Sequence, residues 1–387
     1  MPNTVHVPSR LAIIGGGQLG MMLHQSAHAL GIEVAVLDSS GVSAHQVGAK
    51  LVEGKINDPA AVRRLADTWG KDVPLTIEVE HVAIDELKKL HKEGFQVHPN
   101  PDTMTIIADK LIQKKHLAQN GIPVAEFEEV RDAADIKALL ADWQGGLIIK
   151  TRKGGFDGRG NVVIGNAKDI YSEKAQRLIA GGGIYVEKKV PFEIELAVIL
   201  VRDVFNNVVT YPVVETIHEN NICKMVISPA RIDVKTSKVA ESIGVRVLDS
   251  LYGAGVFAVE MFLLPEGKVL VNEIAPRVHN SGHLTIEANK TSQFENHIRA
   301  VTGRELKSTD RVSPHAVMIN ILEGVGKHKP DIIKIGPQAY LHWYGKEGRM
   351  APLEPRKIGH VTGLGSTHAN AMIAARAAYD QAMEGVI

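Results

Sequence analysis

The sequence predicts a mixed α/β chain: an open parallel-sheet domain, then a β-richer central domain, then a small terminal unit. Three observations carry that prediction. The first hundred residues alternate short apolar runs with helical patterns, and the texture changes after Asn120-Gly121-Ile122-Pro123. A chain of 387 residues also has room for two or three cores.

Leu11-Ala12-Ile13-Ile14 is a continuous apolar run, as a buried parallel strand requires. Gly15-Gly16-Gly17-Gln18-Leu19-Gly20 follows, Met21 to Leu30 carries apolar residues at helical spacing, and Gly31 ends that helix. Val34 to Asp38 is the next strand, with a helix near Pro59 to Trp69 and a strand from Leu75 to Val79. Beyond Pro123 come Leu147 to Lys150, Asn161 to Ile164, Ile184 to Val190 and Glu195 to Val201, all strand-like and separated by glycine-rich turns. That middle part reads as α+β. The last unit begins near Ser313-Pro314 and ends in a helix, Ala369 to Met383.

Lysine plus arginine equals aspartate plus glutamate at 44 each, so no overall field draws the chain to nucleic acid and any anion site must be local. Cys223 is the single cysteine, which excludes an intramolecular disulfide and suits a reducing compartment. No apolar run approaches the roughly 20 residues needed to span a bilayer. The opening MPNTVHVPSR lacks the apolar core of a secretory signal. A cytoplasmic protein without membrane or nucleic-acid partners is expected.

Gly15, Gly17 and Gly20 satisfy G-x-G-x-x-G between a strand and a helix, and Asp38 lies where a ribose-binding acid would end the second strand. Three readings stand at this point. The turn binds a dinucleotide, or it needs glycine only for its tightness, or its amides face another polar substrate.

Val256 to Phe262 and Lys268 to Ile274 are strand-like and separated by a short turn, which makes a hairpin. A two-residue loop, Glu266-Gly267, sets Pro265 opposite Lys268, Leu264 opposite Val269 and so Glu260 opposite Glu273. Carboxylates placed so should repel. A divalent cation between them removes the conflict, and hard oxygen ligands suit Mg²⁺, which commonly adds substrate phosphates to one or two carboxylates. The alternative, an exposed face with both acids solvated, fits poorly with such apolar strands.

Lys150 stands at a strand end before Thr151-Arg152-Lys153-Gly154-Gly155-Phe156-Asp157-Gly158-Arg159-Gly160, a basic loop in which glycines let amides approach phosphate. It is not a Walker A loop; a flexible basic hairpin is the plainer alternative. Lys110, at a helix start, would ordinarily be a surface residue. Backbone after Glu187 could read an adenine edge, and Glu195 could accept ribose hydroxyl bonds.

Asn272-Glu273-Ile274-Ala275-Pro276-Arg277-Val278-His279-Asn280-Ser281-Gly282-His283 is the most specific segment of the chain. With Gly15 to Gly20, Asp109-Lys110-Leu111, Gly154 to Gly160, His342-Trp343-Tyr344-Gly345-Lys346 and Arg356-Lys357-Ile358-Gly359-His360, it resembles the ATP-grasp superfamily. More narrowly the chain is similar to the N5-carboxyaminoimidazole ribonucleotide synthetases, from about Arg10 to His360. Ile77 to Val82 and Asn221 to Lys224 look most like the synthetase half of the fused fungal enzymes.

The resemblance implies a Rossmann-like domain over 1–107, an ATP-grasp domain over 108–308 and a small C-terminal domain over 309–387. It implies that ATP and bicarbonate form carboxyphosphate, and that the amine of aminoimidazole ribonucleotide captures the carboxyl group, through CO₂. Lys110, Lys150 and Gly155 would hold ATP phosphates with Asn272 nearby. Glu187, Lys188 and Val190 would read adenine, Glu195 the ribose, and Glu260 with Glu273 would hold magnesium. Gln18, Leu19, Glu78, Asp157, Arg277, His279, Asn280, Lys346 and Arg356 would surround the nucleotide substrate and bicarbonate. Among them Arg277, His279 and Asp157 stand nearest the chemistry, and Lys346 and Arg356 face the 5′-phosphate. The basic loop would close over the reactive intermediates. A homodimer is implied, as is a separate mutase, because the fused relatives continue into a mutase-like domain.

Some features depart from the family or divide the alternatives. The link between Lys346 and Arg356 is longer than usual, which makes Arg349 a substitute phosphate ligand. His279 and His283 lack the third ligand and the helix of a zinc set, and the histidines could be ordinary loop residues, as Arg277 could be a structural ion-pair donor. Ala275, two positions beyond Glu273, argues against a biotin carboxylase. Arg277 to His283 argues against a formate-dependent transformylase or a glycinamide ligase. A paralogue with another amine or acid keeps the same ATP site. A nicotinamide-dependent oxidoreductase leaves Lys150, Glu260 and Glu273 without a role.

Overall fold

The computed structural model describes residues 8–154, 160–322, 331–346 and 356–384. Its first sheet is parallel, with strands β1 (Arg10–Ile14), β2 (Glu33–Asp38), β3 (Lys50–Glu53), β4 (Leu75–Ile77) and β5 (Val97–His98) in the order β3-β2-β1-β4-β5. Alternate residues of β1 serve opposite faces. Leu11 and Ile13 pack with Met22 and Leu23, while Ala12 and Ile14 pack with Val62 and Leu65. Burial on both faces explains the unbroken apolar run, each large side chain contributing about 1.5–3 kcal/mol. The first helix, Gln18–Ala29, starts inside the glycine run, three residues before its apolar periodicity begins.

An antiparallel four-stranded sheet follows, formed by β6 (Phe127–Glu129), β7 (Leu147–Thr151), β8 (Asn161–Ile164) and β9 (Ile184–Lys188) in the order β6-β9-β7-β8. The remaining strands are β10 (Ile194–Arg202), β11 (Val208–Thr210), β12 (Val214–Glu219), β13 (Ile222–Ser228), β14 (Gly255–Leu263), β15 (Val269–Ala275), β16 (His315–Ile321), β17 (Asp331–Lys334), β18 (Ala339–Trp343) and β19 (Gly359–Gly365). They form one ten-stranded sheet, β15-β14-β10-β12-β13-β16-β19-β18-β17, with β11 on β10.

The C-terminal unit therefore continues the central sheet, joined where β13 pairs with β16 from Met225↔Ile319 to Ser228↔Ala316. Its closing helix, His368–Glu384, buries Ala371, Ala375, Ala378 and Ala382, a helical stripe of small residues against β19. Glycines on the strand permit that closeness: a Cβ at Gly363 would sit 2.3 Å from Ala375 N. Among the described residues no helix is long and apolar enough to cross a membrane.

Candidate active site

Glu260 and Glu273 do face each other across β14 and β15, though not by the register a two-residue loop dictates. Gly267 N donates to Leu264 O and Leu264 N donates to Lys268 O, both at 2.9 Å. The turn is thereby one residue longer, and Leu263, not Leu264, faces Val269. A β-bulge between Glu260 and Met261 then takes Asn272 out of the ladder and restores the Glu260↔Glu273 pair. Two departures from the sequence expectation cancel. The bulge also brings consecutive side chains to one cleft, with Asn272 Oδ1 3.4 Å from Lys150 Nζ and Glu273 Oε2 2.7 Å from Lys110 Nζ.

Lys110 opens the helix Lys110–Gln119, capped by Asp109, whose carboxylate accepts from the amides of Leu111 and Ile112 at 3.1 and 3.2 Å. The Arg152 guanidinium binds the same Asp109 at 3.0 and 2.8 Å and Glu129 at 2.8 Å. The root of the basic loop is thus fixed to the helix end that presents Lys110. Gly155 and Asp157 lie outside the described residues.

Burial and the opposing Glu273 push the Glu260 carboxyl up, to about 7. Burial acts on Glu273 too, but Lys110 outweighs it and holds that carboxyl below its usual range. Burial, Arg277 and Lys357 bring His279 down to about 3, so its imidazole is neutral. Nδ1 takes the Ser281 amide at 3.4 Å, which leaves Nε2–H to point at Glu260 Oε1, 3.3 Å away. Two carboxylates forced together in a ladder, one displaced upward, fit a hard cation that draws its other ligands from phosphate. Among the described residues no cluster of three acids, histidines or cysteines offers a rival metal site.

On the opposite wall, Glu187 of β9 is 2% exposed and accepts from Lys150 Nζ at 2.9 Å and Tyr185 OH at 2.7 Å. The amides of Lys188 and Lys189 are already committed to Glu126 O and Gly146 O, and Lys188 Nζ meets Glu126 Oε1 at 2.5 Å. The segment after Glu187 therefore does not present a run of free donors. Glu195 lies 2.9 Å from His218 Nδ1. Burial alone would lower that histidine, but Glu195 and Glu260 raise it above its usual value.

The glycine amides of the turn are taken by carboxylates of the chain itself. Glu78, just past β4, accepts from Gly17 N at 2.7 Å and Gly20 N at 2.9 Å, and Asp38 accepts from Gly16 N at 2.8 Å. The glycines are explained by that carboxylate. Gly15 has φ +103°, and a Cβ there would lie 2.3 Å from Glu78 Cγ. Burial pushes the Glu78 carboxyl up to about 7 despite its two amide donors. A pyrophosphate would find the Gly17 and Gly20 amides occupied, so the dinucleotide reading loses those contacts.

Of the other expected substrate residues, Arg277 acts on both Glu78 and His279. Leu19 is 8% exposed inside the first core, so only its backbone can meet a ligand, while Gln18 is half-buried at the helix start. Arg277 Nε approaches Glu80 Oε1 at 2.8 Å, and Asn280 exchanges two hydrogen bonds with Asn320 at 3.0 and 2.7 Å. Lys346 Nζ lies 5.8 Å from the Tyr344 ring centre, and Arg356 is exposed. His283 and His360 are both buried, the first in the turn after Asn280–Gly282 and the second on β19. His360 stacks on His342 at 4.2 Å, lies 2.7 Å from Tyr344 OH through Nδ1, and so fastens the strand leading to Lys346.

Sequence reasoning missed Lys114, His218 and Lys357. Lys114 stands four residues after Lys110 on the same helix face, a spacing that could have revealed it. His218 stands two residues beyond Thr216, which pairs with Glu195 where β10 meets β12, a long-range pairing that no local pattern shows. Lys357 neighbours Arg356, and its charge is felt at both His279 and His218.

Comparison with known proteins gives the family. Family models match a ribonucleotide synthetase preATP-grasp domain at residues 9–108, an ATP-grasp domain at 115–294 and a phosphoribosylaminoimidazole carboxylase C-terminal domain at 316–373. Fold and cleft together define an ATP-grasp ligase. The N5-carboxyaminoimidazole ribonucleotide synthase of Mycobacterium tuberculosis is 36% identical over 375 residues, covering 94% of this chain and 85% of that protein. The Aspergillus clavatus synthase, solved with ATP and separately with ADP and 5-aminoimidazole ribonucleotide, superposes with a TM-score of 0.86 at 32% identity, over 96% of this chain and 98% of the other. The chain belongs to the N5-carboxyaminoimidazole ribonucleotide synthase family. The Ogataea methanolica phosphoribosylaminoimidazole carboxylase is 41% identical over 364 residues, 91% of this chain, but the chain spans only 65% of that protein's length.

Proposed function

We propose that the chain carboxylates 5-aminoimidazole ribonucleotide with bicarbonate, consuming ATP and releasing ADP and phosphate. The observation that carries this reading is the cleft in which Lys110 and Lys150 meet the ladder-paired Glu260 and Glu273. The ligands of the Aspergillus clavatus relative support the choice of nucleotides.

In this reading a bicarbonate oxygen attacks the γ-phosphorus, the bond to the β-phosphate oxygen breaks, and ADP leaves. Lys110 and Lys150 neutralise charge on the transferring phosphoryl group and hold it in line. Glu260 and Glu273 would hold Mg²⁺, which, when bound, supplies charge neutralisation at the phosphate oxygens. Carboxyphosphate loses phosphate to leave CO₂ beside Arg277 and the neutral His279. The exocyclic amine adds to that carbon and gives up a proton, forming the carbamate. Val190 and the Lys188 carbonyl read adenine, Glu195 the ribose, and Lys346, Arg356 and Lys357 the 5′-phosphate of the acceptor. The carbamate would pass to a mutase.

The test is ADP release with ATP, Mg²⁺ and bicarbonate, with and without 5-aminoimidazole ribonucleotide. Strong stimulation by the nucleotide, with carbamate detected by ¹³C NMR from labelled bicarbonate, is the expected result. ADP release indifferent to that nucleotide would move the acceptor elsewhere within the ATP-grasp ligases.

A further inference from the structure

Glu187 is a buried carboxylate with more positive charge than it needs. Besides Lys150 at 2.9 Å, it has Lys114 Nζ 3.3 Å from its other oxygen, and Lys114 is itself only 2% exposed. Lys114 also donates to Val271 O at 3.2 Å, a carbonyl of β15 one residue before the bulged Asn272. The two ammonium groups differ in their surroundings. Lys114 is enclosed between its helix, β9 and β15, whereas Lys150, also buried but less completely, reaches Asn272 at 3.4 Å.

We propose that Lys114 is a positioning residue, the standing counter-ion of Glu187 that lets Lys150 leave that carboxylate for the phosphates of ATP. The inference rests on the ATP-binding reading above. Its physical basis is the cost of stranding a buried charge. Were Lys150 the only cation on Glu187, drawing it toward phosphate would leave an uncompensated carboxylate in a low-dielectric site. With Lys114 in place the carboxylate stays paired throughout, and one positive charge is in surplus for an arriving polyphosphate. The electrostatics agree: burial would raise Glu187, but Lys114 and Lys150 together hold it at about 2. Tyr185, donating to Oε1 from the same strand, keeps the carboxylate oriented while its partners exchange.

Lys114→Gln retains a donor for Val271 O and removes the charge; Lys114→Met removes both. Isothermal titration of each folded variant with ATP and, separately, with 5-aminoimidazole ribonucleotide reads the effect, with thermal unfolding run alongside. Lys114→Gln is expected to weaken ATP binding about thirtyfold and leave the acceptor within about twofold. Adding Glu187→Gln removes the stranded charge, so the double variant should bind ATP about as well as Glu187→Gln alone. That second-site recovery is what a merely structural lysine would not give. ATP affinity unchanged in Lys114→Gln, or a double variant that binds ATP much more weakly than Glu187→Gln alone, would overturn the proposal. Absence of ATP binding by the unaltered protein would instead remove the ATP reading on which it rests.

Discussion

Two regions of this chain present backbone and charge suited to anions, and they differ in one respect. The glycine turn after β1 has its amides satisfied by the chain's own Glu78 and Asp38. The cleft between the four-stranded and ten-stranded sheets keeps two opposed carboxylates and sets two lysines on the single Glu187. The turn matches a well-known pattern, yet its glycine amides are taken by the chain itself; the cleft matches no short pattern and holds two carboxylates in forced opposition. An unmet requirement for a ligand points to function more directly than a motif does.

The sharpest way to break that comparison is at the cleft. Glu273→Gln should lower turnover by about 10³-fold while the thermal unfolding midpoint stays close to that of the unaltered protein; undiminished turnover would remove the metal assignment. Lys150→Ala comes next, with the KM for ATP rising by about 10²-fold and that for the acceptor nearly constant. Steady-state kinetics with each substrate varied in turn would show whether the ranking is reversed, and reversal would reassign the lysine.

The turn gives a smaller and differently signed effect. Glu78 has a native carboxyl raised to about 7 from an unfolded value of 4.5, so the folded state holds its proton more tightly. Stability from this group is complete below about pH 4.5 and is lost as pH rises through about 7, by about 3 kcal/mol. Denaturant unfolding across that range should show the decline in the unaltered protein and a flatter profile in Glu78→Gln. Identical profiles would mean that Glu78 titrates normally. The smallest expectation is no signal at all: titration with reduced nicotinamide dinucleotides should give no saturable change in cofactor fluorescence.

The parallel domain was legible because burial on both faces of β1 and β2 leaves an unbroken apolar signature. The hairpin carrying Glu260 and Glu273 was legible as a hairpin, yet its register was not, since neither the longer turn nor the bulge at Asn272 leaves a mark in hydrophobic alternation. Nor does any local pattern show that β13 pairs with β16 across some ninety residues, which merges two expected domains into one sheet. Lys150, Glu187 and Glu273 were found from strand ends and from family likeness. Lys114 and His218 matter through partners distant in sequence, and only the folded arrangement supplies those partners.

The central claim is that the cleft takes ATP together with a divalent cation through the paired carboxylates. Isothermal titration of ATP, with and without Mg²⁺, into the unaltered protein and into a Glu260→Gln/Glu273→Gln variant tests it most directly. The account predicts that Mg²⁺ strengthens ATP binding in the unaltered protein and that this dependence vanishes in the variant, whose fold is retained. A cation dependence of equal size in both proteins would contradict it.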